Sequence, residues 1–219
     1  MSEQPRPIPR TLWVGFSLLV GMIGLAIILM AFGNSRSQNT PLPDVLGQVA
    51  DFTLTNQDGT VTTLADFTNQ VWVADIIFTR CASSCPIMSR QMKSLQDNLP
   101  AGSRAKLVTL TCDPDYDTPS IMKKYGEHYG ADFQRWKFLT GTPKALSDLA
   151  TGSLKLGATP VSPPDRTDPT DFFIHSTIFV IVDQQARLRG VFQTEGQDVN
   201  WKRVEPQILA AVKKLEGGG

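Results

Sequence analysis

The feature that most constrains the fold of this chain is an apolar run that leads directly into a pair of cysteines. The run, Val71 to Thr79, reads VWVADIIFT and is typical of a central strand covered on both faces. Cys81 and Cys85 follow it, and Pro86 to Leu99 then carries apolar residues at helical spacing. Pro86 suits the first position of that helix, where its missing N–H is not needed. The sequence therefore predicts a strand, a loop with two thiols and a helix in succession.

The same alternation of strand and helix continues towards the C-terminus. Buried-type strands are predicted at Ala105–Leu110 and Trp136–Leu139, and helices opened by Thr-Pro pairs at 118–129 and 142–152. A polar stretch with several prolines, Thr159 to Asp171, predicts a long loop. The last elements are an antiparallel hairpin and an amphipathic helix, predicted at Phe172–Asp183 with Leu188–Gln193 and at Val199–Leu215.

A hairpin precedes this alternating part, because Asp51 to Thr63 contains two short β-prone runs around the turn Asp58-Gly59. The order β-α-β followed by β-β-α predicts an α/β fold: a thioredoxin-like mixed sheet with helices on both faces and the hairpin as an N-terminal extension. The length of 219 residues, 41% of them hydrophobic, supports one globular domain. Lys plus Arg and Asp plus Glu each number 21, and this balance argues against a nucleic-acid partner.

One transmembrane helix is predicted before the globular domain. Leu12 to Phe32 reads LWVGFSLLVGMIGLAIILMAF, about the twenty apolar residues that a helix needs to cross the hydrocarbon core of a bilayer. The alternative is a cleaved signal peptide, but the run is longer than a usual signal core and the small-residue cleavage pattern is poor. We expect a retained anchor.

Basic residues near this run predict its orientation. Arg6 and Arg10 precede it and Arg36 follows it, so the positive-inside bias places the N-terminus in the cytoplasm or matrix. The predicted organisation is a short N-terminus at 1–11, the anchor at 12–33, a linker at 34–43 and the folded domain at 44–219. The chain is then a single-pass inner membrane protein whose domain faces the periplasm or the mitochondrial intermembrane space.

Cys81 and Cys85 are separated by three small residues in C-A-S-S-C, so both sulfurs can turn to one point. The positive end of the following helix favours thiolate, the form that binds metals and exchanges disulfides. The pair also lies past the end of a central strand, where open α/β sheets place their sites. Inert packing of free thiols is the alternative, and it is our interpretation of Cys112, which stands alone.

His175 has two interpretations. A single histidine in an apolar strand is often a hydrogen-bonded core residue. If a soft metal is present, however, two thiolates and one imidazole form a three-coordinate set that satisfies Cu(I), whereas structural zinc usually takes four ligands. His128 lies within KYGEHYG on an amphipathic helix and is interpreted as a surface residue.

Four motifs in order resemble the SCO/SenC family of membrane-anchored, thioredoxin-like copper proteins. They are FTRCASSCPIM at 78–88, TCDPDYDTP at 111–119, FLTG at 138–141 and IHSTIFVIVD at 174–183. The resemblance spans most of residues 48–215. It implies that Cys81, Cys85 and His175 bind one copper ion, and that Asp113 has a secondary role near the site. Cys112, directly before Asp113, departs from the family pattern.

The resemblance also implies a function and partners. Members of the family deliver copper to the binuclear centre of cytochrome c oxidase, or keep the cysteines of that centre reduced. The implied partners are a copper-receiving oxidase subunit, a thiol-disulfide reductant and the membrane. Oxidation of Cys81 and Cys85 to a disulfide would remove two of the implied ligands. The redox state of the pair would therefore be linked to copper loading.

Three other functions remain open from the residues alone. The first is a thiol-disulfide oxidoreductase that does not store copper, in which Cys81 attacks and Cys85 resolves; such enzymes normally have C-x-x-C, and the additional residue here suits a metal. The second is a peroxidase, suggested by Thr79 before Cys81, although the proline expected upstream is missing. The third, a membrane-tethered interaction domain, leaves the thiols and His175 unexplained.

Overall fold

A computed structural model of the chain describes residues 20–24, 44–165 and 172–217. These residues contain ten strands: β1 Gly47–Gln48, β2 Thr53–Asn56, β3 Val61–Thr63, β4 Trp72–Ile77, β5 Lys106–Thr111, β6 Trp136–Thr140, β7 Ala158–Pro160, β8 Phe173–His175, β9 Ile178–Val182 and β10 Arg187–Gln193. The helices of the folded part are α1 Ser84–Asn98, α2 Pro119–His128, α3 Pro143–Ser147, which continues as a π-helical turn over Asp148–Ser153, and α4 Trp201–Gly217. Short 3-10 turns cover Leu64–Phe67 and Pro163–Asp165.

Eight of these strands form one mixed sheet in the order β1-β10-β9-β4-β5-β6-β2-β3. The central strands β4, β5 and β6 are parallel, whereas β9 is antiparallel to β4 and β2 is antiparallel to β6. Every residue of β4 is buried, as expected of a strand covered on both faces. The predicted hairpin is confirmed as β2 and β3 at one edge of the sheet.

Helices cover both faces of the sheet, as predicted. One face packs against α1, α2 and α4 through buried side chains that include Met88, Met92, Leu95, Met122, Ile208 and Val212. The other face packs against α3 and its π-helical continuation through Leu146, Leu149 and Ala150. Alternate residues of β4 serve the two cores, with Val73 on the first face and Trp72 on the second, because successive side chains of a strand point to opposite sides.

The predicted anchor at 12–33 lies outside the described residues except for 20–24, which are helical. Among 20–24, 44–165 and 172–217, no helix has the length and apolar character needed to cross a membrane. The predicted linker, 34–43, also lies outside the described residues.

Three predicted boundaries were wrong. Helix α1 begins at Ser84, not at Pro86, so Cys85 lies within its first turn; Pro86 is still tolerated, because the first four N–H groups of a helix have no partner within it. The predicted loop at 159–171 begins in β7, and residues 166–171 lie outside the described part. The predicted strand Phe172–Asp183 is broken into β8 and β9, because β8 pairs with β7 in a separate two-stranded sheet.

Candidate metal centre

Two thiols and one imidazole meet beyond the carboxyl end of β4. The sulfurs of Cys81 and Cys85 and a ring nitrogen of His175 all lie within 4.8 Å of one another. Cys85 Sγ and His175 Nε2 are 3.1 Å apart. All three cysteines of the chain are free thiols in this structure. The three side chains predicted as ligands are therefore neighbours, although His175 is 90 residues from Cys85 in the chain.

Backbone around the end of β4 positions both sulfurs. The Cys81 N–H donates to the Phe78 carbonyl at 3.2 Å, which closes a tight turn directly after the strand. The Phe78 N–H donates to the sulfur of Cys85 at 3.4 Å. Cys85 is the second residue of α1, so its sulfur also lies at the positive end of that helix. One turn of backbone thus holds the two thiols on the same side of the sheet end.

The two thiols differ in their affinity for protons. The pKa of Cys81 is lowered to about 3, chiefly by a hydrogen bond from the Cys85 thiol, with further contributions from His175 and from the Ser83 hydroxyl. Burial raises the pKa of Cys85, and the negative charge of Cys81 raises it further. These opposite shifts favour a thiolate on Cys81 and a protonated thiol on Cys85.

The imidazole of His175 is oriented by its other nitrogen. Its Nδ1–H donates to the Ser176 carbonyl at 3.2 Å, which leaves Nε2 directed at the thiols. Phe78 packs edge-on against the ring, with centroids 5.8 Å apart. Burial alone would lower the pKa of His175, but the hydrogen bonds to Cys81 and to the Ser176 carbonyl outweigh it, and the net shift is upward.

Asp117, which the sequence did not reveal as a site residue, ties the ends of β4 and β5 together. Its fully buried carboxylate accepts hydrogen bonds from the Thr79 hydroxyl, from the Thr79 N–H at 3.1 Å and from the Thr111 hydroxyl at 2.5 Å. Burial raises the pKa of Asp117, and these hydrogen bonds oppose that rise. Its partners Thr79 and Thr111 belong to the ends of two neighbouring strands, 38 and 6 residues away in the chain.

The other singled-out residues lie outside the ligand group. Cys112 packs against the cluster of Ile77, Phe78 and the two site cysteines, and burial raises the pKa of its thiol. Asp113 is bonded to Arg80, with Nη2 to Oδ2 at 2.5 Å. His128 is exposed on α2, which confirms its interpretation as a surface residue.

A second buried carboxyl, Asp75 in β4, gives a prediction about pH. Burial raises its pKa from 3.8 to about 7, against the smaller opposing effects of the neighbouring Thr109 and His175. Between about pH 4 and pH 7 the folded chain therefore holds a proton that the unfolded chain has lost. The stability that Asp75 contributes to the metal-free protein is therefore fully present below about pH 4 and is lost as pH rises towards 7, with a slope of up to about 1.4 kcal/mol per pH unit from this group.

Urea denaturation of the reduced, metal-free chain at several pH values tests this expectation. The Asp75→Asn variant should lack the slope, so its stability relative to the parent should increase from pH 4 to pH 7. Asp148→Asn, which alters an exposed carboxylate paired with Lys144, serves as the control and should follow the parent. Parallel pH curves for the parent and Asp75→Asn would contradict the assignment.

Comparisons with known proteins agree with the fold and show the family. A family model described as SCO1/SenC matches residues 44–207. The SCO1 protein homolog of Bacillus subtilis (strain 168) is 32% identical over 157 residues, which cover 69% of this chain and 79% of that relative. The similarity thus extends over most of the folded part.

Solved structures show the same likeness. BsSco, described as a member of the Sco family of cytochrome c oxidase assembly proteins with a disulfide switch, superposes with a TM-score of 0.65 at 29% identity, covering 81% of this chain and 98% of BsSco. ScoI of Bradyrhizobium japonicum, solved with copper bound, superposes with a TM-score of 0.63 at 20% identity, covering 77% of this chain and 99% of ScoI; at that identity the likeness is one of fold. The thioredoxin-like sheet, the thiol pair at the end of β4 and the match over 44–207 together show that this chain belongs to the SCO1/SenC family.

Proposed function

We propose that this chain binds one copper ion through Cys81, Cys85 and His175 and acts in the assembly of the copper centre of cytochrome c oxidase. The observation that carries the proposal is the meeting of two thiol sulfurs and an imidazole nitrogen within 4.8 Å at the end of β4. Membership of the SCO1/SenC family and the copper-bound state of ScoI support it.

The chemistry of these donors fits Cu(I). Thiolate sulfur is a soft ligand that favours Cu(I), and imidazole also suits copper. The lowered pKa of Cys81 favours its thiolate, and the Ser176 carbonyl accepts from Nδ1–H of His175, so Nε2 is the nitrogen that can bind the metal once it carries no proton. Cys85 must give up its proton to become a ligand, so copper binding releases protons and strengthens as pH rises.

Delivery requires that the three ligands release the copper ion. Oxidation by a disulfide of a partner protein joins Cys81 and Cys85 in one disulfide, while two electrons and the Cys85 proton pass to the partner, whose own disulfide is reduced to a thiol and a thiolate. This step removes two of the three ligands together. A thiol-disulfide reductant restores them. We propose that the recipient is a copper-receiving subunit of the oxidase, whose own thiolates compete for the ion, or whose cysteines this pair keeps reduced.

A membrane anchor at 12–33 is part of the same proposal. It would hold the domain at 44–219 beside a membrane-embedded oxidase, on the periplasmic or intermembrane-space side, with the linker at 34–43 as a tether. Confinement near the recipient raises the effective concentration for transfer without any new contact. The uncharged run from Leu12 to Phe32 and the arginines before it support this arrangement.

Anaerobic titration of the reduced chain with Cu(I) against a competing chelator tests the copper site. We expect one tightly bound equivalent in the parent and a loss of roughly a hundredfold in affinity in His175→Ala, because a ligand is removed. The matched control is His128→Ala, which removes the other histidine of the chain, an exposed one. Equal affinities in the parent and His175→Ala would count against a three-ligand site.

One observation favours a second function, thiol-disulfide exchange on protein cysteines without copper storage. Cys81, 8% exposed and held as a thiolate, is suited to attack, while the fully buried thiol of Cys85 is suited to resolve the mixed disulfide. His175→Ala separates the two functions. Exchange activity that survives it, together with copper binding that is weak in the parent, would favour the oxidoreductase.

A further inference from the structure

Arg80 lies between Thr79 and Cys81 in the chain, and its side chain makes contacts that the ligand group does not account for. Its Nη2 and Nε both donate to Oδ2 of Asp113, at 2.5 and 3.2 Å. The Asp113 side chain is only 9% exposed and that of Arg80 34%. The carboxylate is therefore largely shielded from water, so this pair is screened less than one between two exposed side chains.

Two aromatic rings complete the surroundings of the Arg80 guanidinium. Its central carbon lies 4.2 Å from the ring centroid of Tyr116 and 4.1 Å from that of Phe172. Both distances are within the range of cation–π contacts. Tyr116 belongs to the same loop as Asp113, whereas Phe172 directly precedes β8. The guanidinium therefore touches two segments that the sheet does not join.

The contact with Phe172 leads to the histidine. The ring centroid of Phe78 lies 6.3 Å from that of Phe172 and 5.4 Å from that of Phe173. Phe78 also packs edge-on against His175. His175 ends β8, which belongs to the two-stranded sheet with β7 and not to the main sheet. The imidazole is thus carried by a separate ribbon, while both thiols are carried by the end of β4 and the start of α1.

We propose that Arg80 is a positioning residue that fastens the His175 segment to the thiol turn. Asp113 fixes the guanidinium from one side, and the guanidinium in turn holds Phe172, three residues before His175. This assigns to Asp113 a role through Arg80. The inference rests on the proposed copper site, because it concerns how the third ligand is held close to the other two.

Hydrogen–deuterium exchange of the reduced, metal-free chain tests the contact without copper. Arg80→Gln should speed exchange of the amides at 172–177 by about tenfold. The free energy of local opening falls, because opening no longer has to break the guanidinium contact. Arg80→Lys should behave in the same way, because a lysine keeps the charge but lacks the planar group that spans carboxylate and rings. Arg187→Gln is the matched control. Arg187 makes a similar, partly exposed salt bridge to Asp183 at 2.9 Å, beyond the end of β9 that lies away from His175. Exchange at 172–177 equal to that of the parent in both Arg80 variants would overturn the proposal.

A double-mutant cycle with Cu(I) affinity as the readout tests the route through His175. Arg80→Gln should weaken Cu(I) binding by about tenfold, within the range seen when an outer-shell partner of a metal site is lost. In the His175→Ala background the same substitution should have less than about a twofold effect, because the ligand it positions is gone. Equal losses in both backgrounds would overturn the proposal. A parent chain that binds no copper would overturn the proposed function, whereas the exchange experiment would still decide the role of Arg80.

Discussion

Replacing Cys85 with serine is expected to abolish tight Cu(I) binding, with a loss of roughly a thousandfold or more in affinity, because a soft thiolate is exchanged for a hard hydroxyl that stays protonated. The effect should exceed that of removing His175, since Cys85 contacts both other ligands: its thiol donates a hydrogen bond to Cys81, and its sulfur lies 3.1 Å from His175 Nε2. Its loss also removes the main hydrogen bond that stabilises the Cys81 thiolate. We therefore expect the pKa of Cys81 to rise in this variant.

Chelator competition under anaerobic conditions measures the affinity, and the pH dependence of alkylation measures the pKa of Cys81. Cys112→Ser is the matched control, because Cys112 is a neighbouring thiol that lies outside the ligand group; it should retain the affinity of the parent. Tight binding by Cys85→Ser, or an equal loss in Cys112→Ser, would contradict the assigned ligands.

Replacing Asp117 with alanine is expected to destabilise the chain by about 4 kcal/mol, one of the larger effects of a single substitution. The change leaves the Thr79 N–H and the hydroxyls of Thr79 and Thr111 without the buried acceptor that they share. It also frees the turn that carries Cys81. Cu(I) affinity should consequently fall by about tenfold, as for the loss of an outer-shell partner.

Urea denaturation of the reduced, metal-free chain measures this change. Asp117→Asn, which keeps one acceptor oxygen, should lose about half as much stability as Asp117→Ala. Asp148→Ala, which breaks an exposed pair with Lys144, should change stability by less than about 0.5 kcal/mol. A loss below about 1 kcal/mol in Asp117→Ala would show that the three hydrogen bonds do not brace the strand ends.

The order of elements was predictable because each signal is local. The apolar run at 71–79, the helical spacing after Pro86 and the turn Asp58-Gly59 each depend on neighbours in the chain, and each element is present in the structure. Two of the three boundaries that failed, those of the 159–171 loop and of the 172–183 strand, depend on the pairing of β7 with β8. A continuous β-prone run such as 172–183 does not indicate that its first part pairs with β7 and its second with β4 and β10.

The site likewise combines features that follow from neighbouring residues in the chain with features that depend on distant ones. The sequence by itself determined the thiol pair, because Cys81 and Cys85 are separated by only three residues between a strand and a helix, and it identified the histidine through motifs shared with a family. Only the tertiary structure decided what surrounds them: Asp117 bracing two strand ends, Arg80 linking Asp113 to Phe172, and His175 on a ribbon outside the main sheet. Hydrogen bonds and ring contacts between residues dozens of positions apart leave no periodic trace in a sequence, since they arise only when packing of the sheet and helices brings those side chains together.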